Sequence, residues 1–194
     1  MIGSPAAPSQ GWEAITVART DLQHVTLIGC GLIGTSIALA LNSAGVDVSL
    51  DDIDPEAVAR ARKLGAGSVL LPDSPPADLV VIATAPHAVV DVLYEAQACG
   101  RGRAYTDVAP GKQRIWEEAQ MRGCDLWGYL PGRPLVAKPA DMPADPSADH
   151  FAGRPWLLFP YPLVEPDALD AVDRLITLCR AQRTDMSLEA EPVA

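Results

Sequence analysis

Three glycines in this chain have a spacing that suits phosphate binding. They are Gly29, Gly31 and Gly34, in the run Gly29-Cys30-Gly31-Leu32-Ile33-Gly34. Placed between a strand and a helix, that spacing has a physical meaning. Gly29 permits a tight turn out of the strand, Gly31 lets a pyrophosphate approach the backbone, and Gly34 lets the helix pack closely on the sheet. The helix N-terminus then offers unpaired N–H groups and the positive end of its dipole. Asp52 lies 18 residues beyond Gly34, where a carboxylate can accept hydrogen bonds from ribose hydroxyls. Asp51 and Asp54 make that corner strongly negative, which repels a 2′-phosphate. The pattern therefore predicts NAD, with NADP disfavoured. Asp54 itself reads as a helix cap.

Other groups able to do chemistry are few. The three histidines are His24, His87 and His150. His24 precedes the first strand and reads as a surface residue. His87 follows Ala85-Pro86, at the C-terminal end of a strand, where open α/β sheets place ligands; that position also suits an inert first-turn residue. His150 falls in an irregular stretch from which a loop can reach a pocket. Lys112 can bind an anion or stand solvated in the first turn of a helix. His87 and Lys112 are the catalytic candidates. Cys30, Cys99, Cys124 and Cys179 form no CxxC pair, so they read as buried or partly buried thiols, with no metal cluster or disulfide framework expected. Of the aromatic residues, Trp116, Trp156 and Tyr161 read as packing, while Trp127 and Tyr129 are candidates for lining an apolar pocket.

The elements that must position these groups follow from hydrophobic pattern. VTLIG (25–29) is a β-branched apolar run typical of a buried parallel strand. TSIALALNSAG (35–45) reads as a helix, VDVSL (46–50) as a strand, and DPEAVARARKLG (54–65) as a helix with Asp54 as N-cap and Pro55 first. SVLL (68–71) and ADLVVIAT (77–84) are strands, HAVVDVLYEAQACG (87–100) a helix, RAYTDV (103–108) a strand, KQRIWEEAQMRG (112–123) a helix and DLWGYL (125–130) a strand. Nine prolines fall within residues 131–166, so the stretch 131–155 is expected to be irregular. WLLFP (156–160) is a strand, and residues 165–182 form an amphipathic helix with Leu169, Val172, Leu175, Ile176 and Cys179 on one face. This alternation predicts an α/β fold, a doubly wound and mostly parallel Rossmann-type sheet over residues 21–183. Residues 1–20 are expected to form a flexible arm and 184–194 a polar tail without an element.

Composition narrows the function classes. The chain has 194 residues, 48% of them hydrophobic and 21% charged, which suits one globular domain rather than a disordered chain. Its net charge of −10 argues against nucleic acid or an anionic membrane as partner. With no long apolar run and no basic-then-apolar leader, a cytoplasmic location is expected.

The runs IGCGLIGTSIALALNSAG, DIDPEAVARARKLG, ADLVVIATAP and TDVAPGK resemble the prephenate/arogenate dehydrogenase (TyrA-like) family. FAGRPWLLFP and the helix after it resemble the end of that family's nucleotide domain. The resemblance covers residues 23–186 and is loose between 128 and 150. It implies NAD(P)-dependent oxidation of a small ring compound with loss of carbon dioxide. It also implies dinucleotide contacts at Gly29, Cys30, Gly31, Leu32, Ile33, Gly34 and Asp52, with Ala83, Thr84, Ala85 and Pro86 lying against the cofactor. Asp107 and Lys112 match the retained ends of the family's TDvGSvK segment, with Asp107 expected among the cofactor contacts.

Three departures accompany the resemblance. Pro110 stands where the family has a serine, and proline has neither a hydroxyl nor an N–H. Leu130 stands where the family has the histidine that polarises the substrate hydroxyl, and leucine cannot accept a proton. The chain also stops before the family's helical dimerisation domain, leaving the nicotinamide side open unless a partner or a second copy covers it. Three functions are left open: an NAD-dependent oxidoreductase with altered substrate, expected in bacterial specialised metabolism; a non-redox cyclase, isomerase or elimination enzyme on the same scaffold; and a catalytically dead protein that binds NAD or a partner.

Overall fold

The computed structural model describes residues 22–135 and 145–191. The expected arm at residues 1–20 lies outside them. Five parallel strands form the central sheet: β1 (His24–Ile28), β2 (Asp47–Asp51), β3 (Ser68–Val69), β4 (Ala77–Ile82) and β5 (Gly102–Asp107), in the order β3-β2-β1-β4-β5. The order reverses between β1 and β4, where an open α/β sheet makes a crevice at its carboxyl edge.

Strand β4 shows why the sheet is a core element. Leu79, Val80, Val81 and Ile82 are all fully buried, and burial of each such side chain contributes roughly 1.5–3 kcal/mol. Their side chains alternate between two apolar layers. Leu79 and Val81 pack with residues of α1 (Leu32–Ser43), α2 (Pro55–Lys63) and α5 (Pro166–Leu178). Val80 and Ile82 pack with residues of α3 (Val89–Ala98) and α4 (Lys112–Arg122). A strand buried on both faces reads as a continuous apolar run for this reason.

The doubly wound α/β reading holds, with local differences. Helix α1 begins at Leu32, so Leu32, Ile33 and Gly34 are already helical. Pro86–Ala88 form a separate 3₁₀ turn before α3. The expected strand at 125–130 is instead a turn with one bridge, Tyr105 to Tyr129. Asp125 breaks the strand by accepting a hydrogen bond from the Trp127 amide (2.9 Å), and the Tyr129 amide donates to the Leu126 carbonyl (3.4 Å). The stretch expected to be irregular contains a strand, β6 (Gly132–Pro134), antiparallel to β7 (Pro155–Leu158). The polar tail contributes β8 (Gln182–Asp185), which pairs in parallel with β7 and is exposed throughout. An exposed edge strand has no buried face and therefore no alternation to read. Helix α5 accordingly ends at Leu178, before Gln182. Among the described residues no helix is long and apolar enough to cross a membrane.

Candidate functional site

The glycine run forms the turn from β1 into α1. Gly29 has φ 106°, and a Cβ there would lie 2.6 Å from the Ala83 carbonyl group on β4's exit. A Cβ on Gly34 would sit 1.9 Å from the Gly29 oxygen. Packing inside the protein therefore excludes side chains at both positions. Gly31 differs: a Cβ there would meet nothing within 4 Å. The space beside Gly31 is a cradle that a side chain would fill. Helix α1 has no side-chain cap and no acidic residue in its first turn, so nothing from its own sequence neutralises its positive end.

Asp52 ties this loop to the β2–α2 turn. One carboxylate oxygen accepts from the Cys30 amide (2.6 Å) and the other from the Asp54 amide (2.8 Å). A carboxylate offers about four acceptor sites, so capacity remains for hydroxyl donors. Burial, with Asp52 and Asp51 nearby, pushes the Cys30 thiol up to about 12. Asp54 caps α2, accepting from the Glu56 amide at 2.9 Å. That bond, aided by Arg60, holds its carboxyl below the usual range.

A cleft of about 700 Å³ opens at this edge, lined by Gly29, Gly31 and Asp52 on one side and Thr84, Ala85 and His87 on the other. Ala83 joins this lining; Pro86 is exposed beside it. Thr84 carries a buried hydroxyl with no hydrogen-bond partner among the described residues. Sequence reasoning missed Ile53, Leu70 and Arg101 in the wall. Ile53 carried a signal: it is an apolar residue among aspartates, and it is fully exposed. Cys99 also lines the cleft and is exposed, contrary to the expectation of four buried or partly buried thiols. It lies at the C-cap of α3, beyond the apolar face that buries Leu93 and Ala96.

At the end of β5 the arrangement is closed. Asp107 was expected to contact cofactor, and Lys112 to act in catalysis. Both side chains are fully buried and form an ion pair with each other. Asp107 also accepts from the Tyr129 hydroxyl (2.6 Å) and the Ala109 amide (3.0 Å). Burial lowers the Lys112 ammonium's pKa, and Asp107 opposes that shift. Burial and Asp107 together raise the Tyr129 phenol well above its ordinary value. Neither Asp107 nor Lys112 presents a free face to a ligand here, so Lys112 is not a solvated lysine.

Leu130 is likewise fully buried, its backbone engaged with Tyr105 and Thr106. Tyr129 belongs to the core and Trp127 is 55% exposed, so the two do not share a pocket wall. His150 is buried against Phe151 (ring centroids 5.2 Å apart) and does not line the cleft. His24 is the first residue of β1, bonded to the Ser49 hydroxyl at 2.9 Å, and is half-buried.

Glu191 was not foreseen. Its carboxylate accepts from the amides of Gly111 (3.2 Å) and Lys112 (2.5 Å) at the start of α4, and from the Arg133 guanidinium (2.8 Å). One of three acids in a polar tail gives no sequence signal for such a contact.

The sequence matches the family described as prephenate dehydrogenase, nucleotide-binding domain, over residues 37–184. It is 38% identical over 171 residues to the probable prephenate dehydrogenase NovF of Streptomyces niveus, covering 87% of this chain and 46% of that protein. The fold is similar to the A. aeolicus prephenate dehydrogenase solved with hydroxyphenyl propionate and NAD+ (TM-score 0.73, 19% identity, 87% of this chain and 61% of that one). It is also similar to Synechocystis arogenate dehydrogenase (TM-score 0.71, 19% identity, 85% and 60%). The chain thus spans under half the length of NovF and about three fifths of the two solved enzymes.

Proposed function

Since this chain belongs to the prephenate dehydrogenase family, whose nucleotide-binding domain it carries, we propose that it is an NAD-dependent oxidoreductase acting on a small molecule other than the family's usual substrate. The observation that carries the reading is the uncapped α1 N-terminus beside the open cradle at Gly31, facing a cleft with Asp52 on its wall. The first amides of α1 would hold the pyrophosphate. Asp52 would fix the adenosine ribose through its remaining acceptor sites. The Ala83–Pro86 segment would border the cofactor, with the Thr84 hydroxyl in want of a partner there. Arg60, beside the Asp54 corner, is engaged by Asp54 and Glu56, which supports NAD over NADP. When bound, nicotinamide supplies hydride transfer. His87, exposed in the cleft wall, would be the group to hold or take a substrate proton.

Altered chemistry is supported by Pro110 and by the burial of Leu130, where the family has serine and histidine. A general base of that kind contributes about 10²–10⁴-fold, so the family's substrate would turn over slowly or not at all. The same observation favours a second reading, a non-redox enzyme on this scaffold. Calorimetric titration with NAD and NADP tests the cofactor proposal. Asp52→Ala is expected to weaken NAD binding roughly 10–100-fold, as loss of a hydrogen bond to a charged group does. Unchanged affinity would overturn the cofactor assignment. Turnover by cofactor-stripped protein would decide for the non-redox reading.

A further inference from the structure

The cleft runs on past Asp52, and its far end carries an arginine and a glutamate. Between β3 and β4 the chain reads Leu70-Leu71-Pro72-Asp73-Ser74-Pro75-Pro76 and forms no helix. A crossover between parallel strands usually carries one, and three prolines oppose it here. On that face α3 and α4 pack against Val80 and Ile82 of β4 and Tyr105 of β5, so this connection lays no helix over β1 and β2. The cleft therefore continues along α3. Val92, Glu95, Ala96 and Cys99 recur on its wall at helical spacing, over about 10 Å of helix. Ile53 and Leu70 supply apolar surface from the ends of β2 and β3, and Val92 and Ala96 supply it from α3. Such a lining suits a flat ring, with a few polar groups left to fix its identity.

Arg101 and Glu95 are those polar groups. Arg101 is half-buried and Glu95 exposed, and both line the cleft. Although opposite in charge they form no ion pair with each other, and neither side chain has a hydrogen bond or ion pair among the described residues. A guanidinium only donates and a carboxylate only accepts. A ligand that bridges them needs an acceptor and a donor side by side. Glu95 repels a phosphate or carboxylate placed at Arg101, so a neutral ring of mixed polarity is the better match. Adenine has such an edge, with an amino donor beside ring-nitrogen acceptors. On the NAD reading above, we infer that Arg101 and Glu95 hold the amino edge of the adenine ring and set the cofactor's base specificity. Arg101 donates to a ring nitrogen, Glu95 accepts from the amino group, and the apolar side chains take the faces of the ring.

Calorimetric titration of the full chain with NAD and with its etheno-adenine analogue tests this. The analogue keeps the riboses, the pyrophosphate and the nicotinamide, but its bridge removes the amino donor and blocks the ring nitrogen beside it. The wild type is expected to bind NAD about tenfold more tightly, as the loss of hydrogen bonds to charged groups requires. Arg101→Met keeps the length of the side chain and removes its donors, so it should bind the two dinucleotides equally. Glu95→Met should narrow the preference in the same direction. A preference due only to the bulk of the bridge would persist in Arg101→Met and overturn the assignment, as would equal affinities in the wild type. A second readout needs no variant. Cys99 is the exposed thiol among buried ones and lies one turn beyond Glu95, so NAD should suppress its alkylation by iodoacetamide. Alkylation unchanged at saturating NAD would overturn the placement of the base. If neither dinucleotide binds, the NAD reading falls as well; if NAD binds without preference, only the Arg101–Glu95 assignment does.

Discussion

The two ends of the crevice treat their polar groups in opposite ways. At the β1–β2 end, the α1 N-terminus is uncapped, the space at Gly31 is open and Asp52 has acceptor sites to spare. At the β5–α4 end, Asp107, Lys112 and Tyr129 satisfy one another out of reach of solvent, and the α4 amides are held by Glu191. One end leaves its polar groups open. The other is already complete, and its charged residues serve the fold. A residue can therefore keep a family motif's identity while its side chain is committed inward.

Breaking the buried pair should have the largest effect. Lys112→Met strands the Asp107 carboxylate in the core, and removing one partner of such a pair costs about 3–5 kcal/mol. Denaturant unfolding would measure this; a loss under about 1 kcal/mol, no more than an exposed pair contributes, would show that the closed end does not depend on the pair. At the open end the glycines should separate packing from binding. Gly34→Ala forces a Cβ onto the Gly29 oxygen, and overpacking of this kind costs about 1–3 kcal/mol. Gly31→Ala meets no protein atom and has an ordinary φ of −74°, so its melting temperature should stay at the wild-type value while NAD binding falls. If both variants melt alike, the open cradle is misread.

The smallest effect belongs to Asp54. Losing this exposed cap should lower stability by less than Lys112→Met or Gly34→Ala does. Its folded pKa lies below the usual 3.8. The cap's contribution is thus fully present above that value and is lost as pH falls through the lower folded value. The stability gap between Asp54→Ala and wild type should close on acidification over that window. A gap independent of pH would mean that the carboxylate is not the cap.

The open end was legible in the sequence because its parts are local. A glycine run, the strand before it, the helix after it and an aspartate at the next strand's end are joined by short-range geometry. The doubly wound sheet was legible for a related reason: β4 is buried on both faces and so carries an unbroken apolar run. Strands β6 and β8 were not legible, one among prolines and one with no buried face. The Asp125 turn overrode the apolar pattern of 125–130.

What the chain determined by itself was therefore the α/β order, the glycine turn and the acidic corner. Only the tertiary structure decided that Asp107 and Lys112 close on each other, that Leu130 is sunk in the core, and that Glu191 reaches a helix start 79 residues earlier. These outcomes depend on which distant groups share a low-dielectric interior. There a charge must find a partner wherever the fold supplies one, whatever its distance along the chain.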